Sequence, residues 1–108
     1  MKPLPMASRV VRLVSEYTKP TMPLQQLSIL LCVMERGEVP MGDLPKVAGV
    51  EQSSVSRNVA ILGPGLNLKD RGYDLLEAYE DPMYRRRKLV KLSPRGMALK
   101  KEIGDEST

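Results

Sequence analysis

The chain has 108 residues with one cysteine, no histidine, and 17 Lys and Arg against 13 Asp and Glu, for a net charge of +4. A single thiol and no imidazole exclude an internal disulfide, zinc sites of the common Cys/His types and histidine-dependent acid–base or triad chemistry. A hydrophobic fraction of 42% fits a globular chain of one small domain, and no apolar run approaches the ~20 residues of a membrane span.

The opening stretch, MKPLPMASRVVRLVSEY, is broken by Pro3 and Pro5 and carries charges within its apolar part. It lacks the layout of a signal peptide, and a soluble, cytoplasmic protein is expected. Val10, Val11, Leu13, Val14 and Tyr17 recur at helical spacing and predict a helix over 6–18. Lys19-Pro20-Thr21-Met22-Pro23 breaks it, because each proline restricts the residue before it. Leu24, Leu27, Leu30, Leu31 and Met34 predict a second helix that Gly37 ends. Cys32 lies among these apolar residues and is expected to be a small buried one.

Val39-Pro40-Met41 reads as a short extended piece and 43–48 as a short helix with Pro45 in its first turn and Gly49 as the following turn. The next helix, over 52–62, buries Val55, Val59 and Leu62 on one face and shows polar residues on the other. Gly63-Pro64-Gly65 stops it, and 64–71 is a loop. A strand is expected over 73–79, a turn at Asp81-Pro82 and an alternating strand over 87–92. Ser93 suits an N-cap and Pro94 the first helical position, opening a helix over 94–103 before a frayed tail at 104–108.

This order is mainly α with a small β hairpin, an α+β winged helix-turn-helix in a single domain over 1–108. Its parts are an N-terminal helix at 6–18, a helix-turn-helix core at 23–62, a wing hairpin at 72–92 and a C-terminal helix at 94–103.

The charge is one-sided. Eight basic residues and no acid fall between Arg85 and Lys101, whereas Asp74 to Asp81 holds four acids and no base. Such a cluster is either the footprint of a polyanion binder or a solvated surface. Gln52, Ser53, Ser54, Ser56, Arg57 and Asn58 supply what a helix in a major groove needs: small hydroxyls, amides that pair with adenine, and an arginine that pairs with guanine. A Ser-rich helix start chosen for capping is the plainer alternative. Arg85 and Arg86 at a hairpin tip suit a minor groove or phosphates, and Arg87 and Lys88 suit backbone contacts. Three adjacent arginines repel one another without a counter-charge, part of which Glu80 and Asp81 can supply.

The residues over 80–96, EDPMYRRRKLVKLSPRG, resemble the wing and following helix start of the MarR family of bacterial winged-helix regulators. The matching positions are Asp81-Pro82, Arg85-Arg86 and Leu92-Ser93-Pro94-Arg95-Gly96. VEQSSVSRNVAIL resembles the family's recognition helix, with Gln52, Ser53, Ser54, Ser56 and Arg57 in the contacting positions. The stretch over 24–37 resembles its second helix, with Gln25 or Gln26 at the start, so that the likeness spans 20–103.

The resemblance implies a sequence-specific, double-stranded-DNA-binding transcriptional regulator, expected to be a repressor, acting as a homodimer on a palindromic site. No enzymatic activity, metal or cofactor is expected, and no membrane partner. The alternative is a winged-helix interaction module that docks an acidic protein.

Three departures from the family pattern set further expectations. Tyr84 stands where the family usually has an aspartate that helps orient a wing arginine, so this wing is expected to be held differently. Residues 63–69 read as an insertion that could reposition the wing. The sequence ends soon after Ile103, a shortened C-terminus where family members continue into long helices, so a dimer would rest on residues 4–18, the last helix or another surface.

Overall fold

The computed structural model describes residues 2–19 and 21–104. The first helix, α1 (Pro3–Tyr17), starts earlier than the apolar spacing predicts, because Pro3 and Pro5 sit in its first turn, where a missing N–H breaks no bond. Of its apolar stripe only Val14 is fully buried, with Val10, Leu13 and Tyr17 packed at the core's margin.

Helix α2 (Leu24–Arg36) is the hub, burying Ile29, Leu30, Cys32, Val33 and Met34. Pro23 is its N-cap, and the Pro23 carbonyl accepts from Gln26 N–H at 3.0 Å. Gly37 ends it at φ 85°, a backbone that L side chains rarely adopt.

The expected extended piece is strand β1 (Glu38–Pro40), which leads through a 3-10 turn into α3 (Leu44–Ala48), with Gly49 as a left-handed cap at φ 68°. The segment 52–62 departs from a single α-helix. Gln52–Ser54 is a 3-10 turn and α4 (Val55–Leu62) follows it, with Val55, Val59 and Leu62 buried as their spacing requires.

Strand β2 (Leu76–Glu80) starts later than the sequence pattern suggests, because residues 73–75 spend their backbone elsewhere. Tyr73, Leu75 and Asp74 N–H groups donate to the carbonyls of Ile61, Leu62 and Gly63, at 2.7–2.9 Å. Strand β3 (Lys88–Leu92) pairs antiparallel with both β2 and β1, so β1 makes the hairpin a three-stranded sheet of order β1-β3-β2. Val39 faces Val90 across one ladder and Ala78 faces it across the other. Along β3 the burial is not strictly alternating: Val90 and Leu92 enter the main core, while Leu89 is buried outside it.

Helix α5 (Pro94–Gly104) is capped as expected. Ser93 Oγ accepts from Gly96 N–H at 3.0 Å and donates to the Asp74 carbonyl at 2.6 Å. Gly104 closes this helix, and the rest of the expected tail, 105–108, lies outside the described residues. The α1 side chains clasp α5. Arg9 donates to the carbonyls of Glu102 and Ile103 at 2.8 and 3.1 Å. The Tyr17 hydroxyl donates to the Glu102 carboxylate, which raises the phenol above its ordinary value.

The loop over 63–72 closes on itself. Asn67 Oδ1 accepts the N–H groups of Lys69 and Asp70, and Leu66 N–H donates to the Asp70 carbonyl at 2.9 Å. Its neck is all backbone: a methyl at Gly72 would run into the carbonyl oxygens of Gly63 and Ile61. The chain thereby returns to the end of α4 before entering the sheet. Gly72→Ala is therefore expected to destabilise the fold by about 1–3 kcal/mol through overpacking, read as a drop in the denaturation midpoint. An unchanged midpoint would mean that the neck is loose.

Candidate nucleic-acid interface

Two elements meet at one open face. The Gln52–Ser54 turn and α4 present Gln52, Ser53, Ser56 and Arg57 to solvent, because Val55, Val59 and Leu62 hold the opposite side in the core. Residues 81–87, between β2 and β3, present Tyr84, Arg85 and Arg86, and Lys88 follows them at the start of β3. Between the two elements lies a cleft of about 490 Å³ lined by Gln52, Val55 and Ser56 on one wall and Tyr84, Arg86, Arg87 and Lys88 on the other. Met41, Gly42 and Pro45 complete it.

The candidate residues thus fall into three groups. Gln52 and Ser56 share the cleft with Arg86, Arg87 and Lys88. Ser53, Arg57 and Arg85 are exposed but lie outside its lining. Ser54 and Asn58 are half-buried and engaged within the helix-turn-helix: Ser54 Oγ donates to Gln25 Oε1 at 3.0 Å, and Asn58 Oδ1 accepts from Gln26 Nε2 at 3.2 Å. Gln26 is 4% exposed and its Oε1 finds no partner among the described residues. Its amide therefore ties α2 to α4 through the Asn58 bond. Both glutamines stand at the start of α2, and their link to the 52–58 segment is tertiary, invisible to a reading of helix faces.

The wing is held from within. Asp81, 4% exposed, accepts from Met83 N–H through Oδ1 at 2.8 Å and from Arg87 Nε through Oδ2 at 2.9 Å. Its carboxyl lies below the usual range, chiefly because the Met83 N–H bonds the charged form, with the Arg87 guanidinium adding to this against a desolvation that works the other way. The carboxylate is therefore charged at neutral pH. The Asp81 N–H donates to the Arg87 carbonyl at 2.9 Å, and the Arg87 N–H to the Tyr84 carbonyl at 2.8 Å. Arg85 and Arg86 occupy the two corner positions of the tight turn this closes. The Arg87 guanidinium lies 5.6 Å from the Tyr84 ring centroid, a cation–π distance. Tyr84 thus lies against the Arg87 guanidinium, and Asp81 makes the ion pair that holds it.

Among the described residues no group of Cys, Asp and Glu side chains could hold a metal ion, and no helix is long and apolar enough to cross a membrane.

No family model and no curated protein matches this chain. Solved structures do. BpsR of Bordetella bronchiseptica, studied for regulation of its DNA binding by 6-hydroxynicotinic acid, is 24% identical with a TM-score of 0.61. That match covers 93% of this chain and 70% of BpsR. The PcaV transcriptional regulator from Streptomyces coelicolor, in complex with its natural ligand, is 18% identical with a TM-score of 0.63, over 94% of this chain and 66% of PcaV. A MarR variant from E. coli complexed with operator DNA is 22% identical with a TM-score of 0.61, over 93% of this chain and 66% of that one. This chain therefore spans about two thirds of the length of these structures. The five α-helices and the three-stranded sheet of the described residues, with these likenesses, give the chain the winged helix-turn-helix fold seen in MarR-like transcriptional regulators.

Proposed function

We propose that this chain is a sequence-specific, double-stranded-DNA-binding transcriptional regulator, and that it acts as a repressor in the cytoplasm. The observation that carries the reading is the shared cleft, in which Gln52 and Ser56 face Arg86 and Lys88 across a gap open to solvent. Hydroxyl and amide donors on one wall suit base edges, and guanidinium and ammonium groups on the other suit the phosphates flanking them. The MarR variant with the same fold is complexed with operator DNA, which supports duplex DNA as the partner of this chain. In this reading Gln52, Ser53, Ser56 and Arg57 contact the major groove, Ser54 and Asn58 anchor that surface to Gln25 and Gln26 of α2, and the wing grips the adjacent groove or backbone. A homodimer on a palindromic site fits a reader with one such face per chain.

Titration of random-sequence duplex DNA at increasing salt tests this. Binding should be present at low ionic strength and fall linearly in log–log form, and selection from the same pool should return a palindromic consensus. Absence of binding at low salt would refute the reading. Arg57→Ala is expected to weaken binding to the selected site by about 1–3 kcal/mol and to relax preference at one base position, read by repeating the selection with the variant. A uniform loss across all sequences would instead make Arg57 a phosphate contact.

A further inference from the structure

We propose that Asp81, Tyr84 and Arg87 form an internal brace whose job is to present Arg85 and Arg86 to DNA, so that Arg87 is a positioning residue and not a phosphate contact. The inference rests on the DNA-binding reading above and assigns the division of labour within the basic cluster.

Three arginines stand in a row, yet the structure treats them differently. All three are exposed, and Arg85 and Arg86 make no ion pair with any described residue. Arg87 has its Nε on the buried Asp81 carboxylate at 2.9 Å and its guanidinium over the Tyr84 ring. A carboxylate with one oxygen on Met83 N–H and the other on Arg87 Nε spans the loop from its first residue to its last. Together with the Asp81 N–H to Arg87 carbonyl bond, this fixes the hairpin's base on both sides of the turn. The two corner arginines then project from a closed loop rather than a mobile one, which limits the ordering cost on binding. Tyr84 contributes a flat, rigid platform that also forms part of the cleft wall beside Arg86.

The sign of one substitution separates this idea from simple electrostatics. Asp81→Asn removes a negative charge from a surface that meets a polyanion, and charge alone predicts tighter binding. A brace predicts weaker binding, because the amide still accepts from Met83 but no longer holds the guanidinium with full charge. The expected result is a loss on the order of tenfold in affinity for duplex DNA, the scale of coupling between groups in one network. Arg87→Ala should weaken binding while leaving the salt slope unchanged, and Tyr84→Leu should weaken it where Tyr84→Phe does not.

Melting each variant alongside the titration separates a loss of folded protein from a loss of affinity, and Arg87→Ala keeps the test alive if Asp81→Asn fails to fold. Equal or tighter binding by Asp81→Asn would overturn the brace. So would a salt slope shallower by about 0.9 in Arg87→Ala, the mark of one lost phosphate contact. Failure of the unaltered protein to bind duplex DNA removes the DNA reading and the brace together, whereas normal binding with tighter Asp81→Asn removes the brace alone.

Discussion

Leu62→Ala is expected to lower the stability of the folded chain by about 2–5 kcal/mol, the range for a fully buried leucine truncated to alanine. Leu62 is 0% exposed and closes α4, and its carbonyl accepts from Leu75 N–H at 2.7 Å where the chain returns from the loop. The side chain and the backbone bond therefore secure the same junction, the one that sets α4 against β2. The cost comprises the lost burial of the isopropyl end of the side chain and a cavity that the surrounding core cannot fill without moving. For a domain of this size the denaturation midpoint should fall on the order of 10 °C or more.

Leu68→Ala, in the loop that follows α4, supplies the contrast. Leu68 is 91% exposed, and the identical chemical change there should stay within about 0.5 kcal/mol. Total stabilities of such domains are about 5–15 kcal/mol, so from the middle of that range Leu62→Ala remains folded at 25 °C and should bind DNA with nearly unchanged affinity per folded molecule. A midpoint shift equal to that of Leu68→Ala would mean that the α4–β2 junction is not part of the core.

The elements that the sequence pattern makes legible are those built from local periodicity. Val55, Val59 and Leu62 are spaced for one helical face, and all three are buried. The Ser93 cap and the Pro94 start follow from chemistry confined to a few neighbouring residues. What stays hidden depends on partners far along the chain. Strand β1 has three residues, too few for an alternation, and it exists because Val39 meets Val90. Leu24 fits the apolar stripe of α2 yet is 79% exposed, since spacing locates a face without saying how far along the helix its cover reaches. In the candidate interface, the polar face of 52–58 and the basic turn are both readable. The engagement of Ser54 by Gln25 and of Asn58 by Gln26 is not, because residues 29 and 32 positions apart meet only once the helices pack. Asp81 is readable as a turn-former and a nearby counter-charge. Its choice of Arg87 over Arg85 and Arg86 is set by the hairpin register, which brings residues 81 and 87 opposite each other.

Replacing Arg85 and Arg86 together by alanine is expected to weaken DNA binding on the order of a hundredfold or more at physiological salt. Each arginine contact of this kind contributes about 1–3 kcal/mol, and about 1.4 kcal/mol is tenfold in affinity. The two side chains are adjacent, so their effects need not add, and the lower part of the summed range is the safer expectation. Salt dependence then says what the arginines touch. If both neutralise phosphates, the log–log slope becomes shallower by about 1.8, and the loss is the same for every sequence. If one enters a minor groove, part of the loss appears as a weakened preference for narrow, A·T-rich flanks that the recognition helix never contacts. The fold should be untouched in either case, because both side chains are exposed and neither makes an ion pair with a described residue. A double variant that binds like the unaltered protein would leave the wing without a role in DNA recognition, whatever the helix at 55–62 does. The comparison with Arg87→Ala is the more discriminating half of the experiment. All three substitutions remove one positive charge per site from the same turn at 81–87. Only the two at the corner should carry the counterion signature, since the third already has its counter-charge inside the protein.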